Sequence, residues 1–203
     1  MGLFEPPMSM AQFLEASRGT SLNRRSIHHL DHQDDEAADS NLVIEPFDAS
    51  DPVVQKVCDA LQVEASRSNG GGRFWWESNL KQGSRNDDYA AVIVDVPADN
   101  DSRRGFLLRD VGYVEKKAVI STYSFADDGV LTITTRYDTN VGTERCWFVT
   151  DQVRMRVSSV QCLNGVSMTT YCTELRCPSD DDIKALAQKA RLFANSTAME
   201  PTH

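Results

Sequence analysis

The chain has 203 residues, with 21 Lys+Arg against 30 Asp+Glu for a formal net charge of −9, and it is 40% hydrophobic and 25% charged. This is the length of one domain with tails and the composition of a soluble globular protein. Its acidity speaks against general nucleic-acid binding and against docking on anionic lipid, both of which need a basic surface.

No apolar run approaches the roughly 18 residues that span a bilayer, and Met1 to Ser9 lacks the basic and apolar regions of a secretory signal. Cys58, Cys146, Cys162, Cys172 and Cys177 are odd in number and scattered, with no C-x-x-C pair. That pattern fits a reducing compartment better than a zinc site or a disulfide framework.

In chain order, residues 1–9 read as a tail. Met10 to Ser17 reads as a short helix, with Phe13 and Leu14 on one side and Gly19 as its stop. Thr20 to Gln33 is polar and His-rich, and Asp34-Asp35-Glu36 reads as an acidic turn. Asn41 to Phe47 is a β-branched run. Asp51-Pro52 opens a second helix with a capping carboxylate and a first-turn proline. Val53, Val54, Val57, Leu61 and Val63 supply its apolar stripe, and Asn69 to Gly72 ends it.

Beyond those glycines the pattern changes to short strands separated by turn signals: Arg73–Leu80, Tyr89–Val96, Gly105–Leu108, Ala118–Phe125, Val130–Tyr137, Thr143–Thr150, Gln152–Val160 and Val166–Leu175. Asp127-Asp128-Gly129 marks a hairpin, and Thr150-Asp151 a similarly tight reversal. These eight runs and two earlier ones, at roughly ten-residue spacing, predict a closed or nearly closed antiparallel barrel. Asp180 to Ala194 reads as a helix behind an acidic cap, followed by a frayed tail, so residues 10–178 form the barrel domain and 179–203 a C-terminal appendage.

Alternation along strands shows which side chains share a surface. Glu144, Cys146 and Phe148 share one face, as do Arg154, Arg156 and Ser158, opposite Val153, Met155 and Val157. Hydrophobicity leaves the facing open. The plain reading turns the valine face inward and the arginines to water; the other puts the guanidiniums in the lumen, where they need anionic partners. Trp75 and Trp76 are adjacent, so in a strand one points each way. His28, His29 and His32 look like a metal cluster, but no further ligand follows at metal-site spacing, which favours a surface or rim role. There is no G-x-S-x-G, and no cysteine sits in a recognisable nucleophile context.

Several stretches together resemble the S-type phycobiliprotein chromophore lyases, the CpcS/CpeS family. These are Leu107-Leu108-Arg109 with Gly112-Tyr113 and Glu115-Lys116; Leu131-Thr132 with Thr135 and Tyr137; Glu144-Arg145 with Trp147-Phe148; Arg154, Arg156 and Ser158; and Gly165, Ser167-Met168, Cys172, Glu174 and Arg176. Arg25, His29 and the segment around Trp76 also fit, so the likeness runs from about Met10 to Arg176. One departure is Ser21, where the family commonly carries a tryptophan that plugs the barrel end; Phe13 or Leu14 would have to serve instead. The acidic loop Asp34 to Asp39 and the extension after Pro178 are additions to the common pattern.

The resemblance implies a mainly β fold, a ten-stranded antiparallel calycin (lipocalin-like, fatty-acid-binding-protein-like) barrel with flanking helices, and a polar pocket at its mouth. It implies transfer of an open-chain phycobilin, with phycoerythrobilin favoured, to a cysteine of an apo-phycobiliprotein subunit through a thioether. No permanently bound cofactor and no metal are expected, and a homodimer is compatible. The setting would be the cytoplasm of a cyanobacterium or an algal plastid.

In that reading Glu144 and Arg154 are the catalytic pair. Arg154 and Arg156, with Arg25, take the propionates, Ser158 lies on the ligand side with them, Glu174 is a second acid for pyrrole N–H groups, and Trp75 or Trp76 is an aromatic wall. The rival reading is a non-catalytic carrier of a carboxylated apolar ligand, which the arginines would suit equally well.

Overall fold

The computed structural model describes residues 4–31, 34–77, 85–111, 117–162 and 165–177, with Asp181, Ala185 and Gln188 beyond them, and for residues 85–89 the backbone alone. His32, the Gly112 to Lys116 motif and most of the expected C-terminal helix lie outside the described residues; Asp181, Ala185 and Gln188 are helical.

Ten antiparallel strands close into a barrel in the order β1-β10-β9-β8-β7-β6-β5-β4-β3-β2. They are β1 (Gly19–His29), β2 (Asp34–Phe47), β3 (Gly71–Glu77), β4 (Arg85–Ala98), β5 (Asp101–Arg109), β6 (Val119–Phe125), β7 (Leu131–Arg136), β8 (Asn140–Thr150), β9 (Val153–Cys162) and β10 (Gly165–Cys177). Closure leaves no unpaired edge, and every consecutive pair of strands is also a pair in space. The barrel is the one expected from the turn spacing. The Asp127 to Gly129 hairpin is as expected too: Gly129 takes φ 79°, and Ala126 N–H donates to the Val130 carbonyl at 2.9 Å.

Helix α1 (Met10–Ala16) closes one end. Ser9 caps it, accepting from Gln12 N–H, and Met10, Phe13 and Leu14 fall on one face at the i, i+3, i+4 spacing and are buried. Gly19, at φ 98°, turns the chain from α1 into β1. Phe13 meets Phe125 and Phe148 at ring-centroid distances of 6.2 and 5.5 Å, so α1 supplies the plug in a chain that has Ser21 where a tryptophan would stand. Phe4 packs on the Phe148 ring at 5.9 Å and Pro6 lies against Gly129, so residues 4–8 belong to this closed base rather than to a loose tail. The opposite end is framed by the strand termini His29, Glu77, Arg109, Arg136 and Cys162, and no helix of the described residues crosses it.

Helix α2 (Pro52–Ala60) lies outside the wall. Its Val54, Val57 and Cys58 pack on Val94, Val96 and Leu108 of β4 and β5, and Arg73 of β3 grips the capping Asp51 at 2.8 Å. The helix stops well short of the glycines expected to end it. Gln62 adopts φ 57°, and a 3-10 turn at Ala65–Arg67 carries the chain to β3.

One expectation is corrected by pairing, and one open choice is decided. The acidic run is no turn: Asp34 to Asp39 opens β2 and faces β1 residue by residue, with Asp35 beside His28 at 2.8 Å, Glu36 beside His29 at 3.0 Å and Asp39 beside Arg24 at 3.2 Å. Cross-strand partners of opposite charge let an acidic segment form strand.

The structure decides the facing of β9 for the second of the two readings. Its arginines point inward, while Val153, Met155 and Val157 face outward together with Val149 (55% exposed) and Tyr171 (48% exposed). Buried carboxylates on the neighbouring strands supply what desolvated guanidiniums require, which local hydrophobicity cannot register.

The plug is testable. Phe13→Ala should cost about 3 kcal/mol of stability, the usual loss for a buried aromatic ring. Urea unfolding measures it, and a change under about 1 kcal/mol would remove Phe13 from this role.

Candidate functional site

The strand register divides the lumen into two walls. Leu42, Ile44, Ile93, Leu107, Tyr123, Phe125 and Leu131, from β2 and β4 to β7, form a largely apolar wall with Phe74 and Trp76 of β3 packed against it, and the buried Arg109 of β5 lies over the Phe74 ring near its open end. The wall made by β8, β9, β10 and β1 is polar and rises in rows. Nearest the closed end Phe148, Arg154, Glu174 and Asn23 stand side by side. The next row is Cys146, Arg156, Cys172 and Arg25, and the next is Glu144, Ser158, Thr170 and Ile27. Period two along four paired strands is enough to bring these side chains onto one surface.

The lowest row is locked. Arg154 is 6% exposed and Glu174 1%. Arg154 Nε donates to Glu174 Oε2 at 2.5 Å, and its Nη1 donates to the hydroxyl of Ser17 at the end of α1. That hydroxyl in turn donates to the Phe13 carbonyl at 2.7 Å. Arg154 therefore fastens the plug to the wall, and both it and Glu174 are committed within the protein. Burial works against the Glu174 carboxylate, but the Arg154 and Arg156 guanidiniums outweigh it and hold the carboxyl below the usual range.

Arg156 bridges the rows. Its Nε donates to Glu174 Oε1 at 3.2 Å, its Nη2 to the Cys172 sulfur at 3.4 Å, and its Nη1 lies 3.6 Å from Glu144 Oε2. Burial disfavours its charge, yet Glu174, Cys172 and Glu144 more than compensate and hold the guanidinium protonated. Arg25, half-buried and directly across from Cys172, has no ion-pair partner among the described residues. Burial pushes the Cys146 thiol up, with Glu144 adding to it; burial likewise raises Cys172 against the pull of Arg156. Burial thus favours the thiol form of both.

The sequence-derived residues thus separate. Glu144, Arg156, Ser158 and Arg25 gather on the upper polar wall, Arg154 and Glu174 lie in its floor, and Trp76 stands on the lumen side of β3. Trp75 does not join them. It shares the outer face with Val43 and donates from Nε1 to Glu77 at 2.9 Å, so it is no wall for a ligand in the lumen. Among the described residues no group of three His, Cys, Asp or Glu could hold a metal ion. His28 is instead spoken for by Asp35 and by an edge-on Tyr171 ring at 5.6 Å.

One polar centre escaped the sequence reading. Asp95, on the lumen face of β4 beyond Ala91 and Ile93, is 3% exposed and accepts from the Tyr123 hydroxyl at 2.8 Å. The signal was present: at period two, Ala91, Ile93 and Asp95 place a lone acid on an apolar face. Burial pushes the Asp95 carboxyl up to about 6, the Tyr123 hydrogen bond only partly opposing it, and burial beside Asp95 raises Tyr123 as well.

A family model described as CpeS-like protein matches residues 9–177. The chain is 65% identical over 194 residues to "Chromophore lyase CpcS/CpeS" of Synechococcus sp. (strain WH8020), covering 96% of this chain and 97% of that protein. It is 32% identical over 167 residues to "Phycocyanobilin lyase subunit CpcS" of Picosynechococcus sp. (strain ATCC 27264 / PCC 7002 / PR-6), covering 81% and 84%. Among solved structures, the S-type phycobiliprotein lyase CPES from Guillardia theta superposes with a TM-score of 0.68 at 26% identity, covering 85% of this chain and 94% of that one.

Asp95 should be visible in the pH dependence of stability. Its carboxyl titrates near 3.8 in an unfolded chain and near 6 in the fold, so between those values the folded state holds the extra proton and stability falls as pH rises. Asp95→Asn removes that decline. From pH 4 to pH 7 the stability difference should move in the variant's favour by up to about 3 kcal/mol. Parallel profiles in denaturant titrations across this range would contradict the assignment.

Proposed function

The chain belongs to the CpeS-like family, and on that premise we propose that it is a bilin lyase, which holds an open-chain tetrapyrrole in the upper lumen and delivers it to a cysteine of an apo-phycobiliprotein subunit. Phycoerythrobilin is the chromophore we favour, and the cytoplasm of a cyanobacterium or the plastid of an alga the setting, the first in keeping with the Synechococcus and Picosynechococcus relatives and the second with the Guillardia theta protein.

The observation that carries the proposal is the two-walled lumen. A bilin is a flat apolar chromophore with two propionates on one side, and the apolar wall with Trp76 suits its rings while Arg25 and Arg156 suit its carboxylates. Ser158, directly across from Glu144, adds a hydroxyl in the same row. Arg154 and Glu174, bound to one another and to α1, position Arg156 rather than meet the ligand.

The chemistry asked of these residues is modest. The acceptor thiol adds to the ethylidene group of the A-ring, forming a C–S bond, and a proton ends on the chromophore. Glu144, one row nearer the open end than Arg156, is the carboxyl placed to hold ring N–H groups and to favour the protonated, more electrophilic bilin. The barrel contributes position as well, holding a floppy chromophore in one conformation with its A-ring toward the open end. Both lumen thiols are buried, which favours their protonated form and supports a route directly from bilin to acceptor with no bond to the lyase.

Two measurements test this. Mixing the protein with phycoerythrobilin should give a red-shifted, sharpened absorption band, and an unchanged spectrum would end the proposal. With an acceptor subunit present, colour should survive denaturing electrophoresis on that subunit. Glu144→Gln should slow its appearance by about 100-fold, the scale of a lost general acid. Bound bilin without any coloured subunit would mark a passive carrier instead.

A further inference from the structure

The largely apolar wall carries one polar pair that the transfer chemistry leaves unused. Ser121 of β6 and Thr135 of β7 are direct cross-strand partners on the lumen face, 1% and 7% exposed, with their hydroxyls 2.7 Å apart. Only one of the two protons can lie between the oxygens. Neither hydroxyl has another hydrogen-bond partner among the described residues, so the pair keeps one O–H donor without an acceptor. A buried donor in that state costs free energy that an incoming acceptor recovers.

The pair lies high in the lumen. Thr135 is the last lumen-facing residue of β7 before the open end, and Ser121 is one lumen-facing position in from Val119 at the start of β6. Gly142 of β8 is directly across from Thr135, and a Cβ added there would find its nearest neighbour, a Tyr137 ring carbon, at 4.0 Å. The wall therefore has room beside the hydroxyls. Glu144 follows on the same face of β8, about 7 Å deeper at two residues of strand rise.

The surroundings select a neutral acceptor on an apolar group. Leu107 is directly across from Ser121, and Ile133 precedes Thr135 on the same face. A carboxylate set against them would need a cation, and the buried Arg109 of this wall reaches over the Phe74 ring of β3, away from β6. A lactam carbonyl meets the requirement, because it accepts well, carries no net charge and lies at the edge of a planar ring. An open-chain tetrapyrrole has one on each end ring, and the A-ring is the one directed to the open mouth.

We propose that the Ser121–Thr135 pair anchors the A-ring lactam of the bilin: its spare O–H donates to the ring's carbonyl oxygen and so fixes the ethylidene carbon where the acceptor thiol arrives. The inference rests on the lumen being the bilin site. Both are positioning residues, acting on the ring that reacts and not on the bond that forms. The anchor selects chromophores whose reacting end ring keeps its lactam oxygen, and a fatty acid, with no neutral carbonyl, gains nothing from it.

The experiment compares wild type with the double variant Ser121→Ala, Thr135→Val. Replacing both partners by apolar groups of similar shape is close to neutral for a fold, so the two melting temperatures should agree. Each protein is loaded with phycoerythrobilin carrying an isotope label at the A-ring carbonyl, and the infrared difference spectrum is recorded. The labelled band should lie at lower frequency on wild type than on the double variant. The variant should bind the bilin about fivefold more weakly, the loss of one neutral hydrogen bond, and transfer from the saturated lyase should slow about tenfold, the cost of a misplaced reacting carbon. Thr135→Ser keeps the hydroxyl and should keep both the band and the rate. The same labelled band on wild type and double variant would overturn the anchor. So would a double variant that melts well below wild type and loses the red-shifted absorption, since the pair would then belong to the fold. No red-shifted absorption on wild type would instead overturn the lumen as the bilin site.

Discussion

A single buried carboxylate, Glu174, holds two guanidiniums at the bottom of the polar wall, and much else in the molecule depends on that arrangement. Desolvating three charges is expensive. It is tolerated here because both carboxylate oxygens are used and because Arg154 finds a further acceptor in Ser17. The consequence reaches in two directions. Through Arg154 the cluster secures α1, and so the plug; through Arg156 it orients the only guanidinium that touches Glu144 among the described residues. Glu174 is ionised at neutral pH, and its contribution to stability is present above the ordinary glutamate range. It is lost as acid carries the pH down through the depressed value.

The apolar wall depends on the same closure. Ten strands paired in sequence order fix which side chains enter the lumen, and a slip of one residue in β9 would exchange Arg154, Arg156 and Ser158 for Val153, Met155 and Val157. The Arg154–Glu174 pair across β9 and β10 therefore acts as a register pin as well as a brace. With the plug and the pin both at the closed end, the residues proposed to meet ligand are gathered in the upper half, where one wall offers charge and the other an apolar surface.

The strands, the hairpin at Gly129 and the co-facial sets on β8 and β9 were legible in the sequence, because alternation and turn chemistry are local signals. The facing of β9 was not. Its valine face is the more apolar of the two, and only the carboxylates of β8 and β10, brought alongside by long-range pairing, make the arginine face the inner one. For the same reason Asp34 to Asp39 looked like a turn: the partners that neutralise it, Arg24, His28 and His29, become partners only when β1 and β2 align. Trp75 and Trp76 were known to point opposite ways, but which entered the lumen depended on the pairing of β3 with β2, which sets Trp76 across from Leu42. Arg154 was legible as one of two arginines sharing a face of β9. That its hydrogen bonds would be spent on Glu174 and on the end of α1 required contacts 20 and 137 residues away along the chain.

The central claim is that this charged wall is a ligand site. A crystal structure of the protein with phycoerythrobilin bound tests it most directly. The account requires the chromophore in the upper lumen, a propionate oxygen within hydrogen-bonding distance of the Arg156 guanidinium, Glu144 at the ring N–H groups, and Arg154 still on Glu174. A chromophore lying on the outer Val153, Met155 and Val157 face, or one in the lumen with both propionates in solvent, would contradict it.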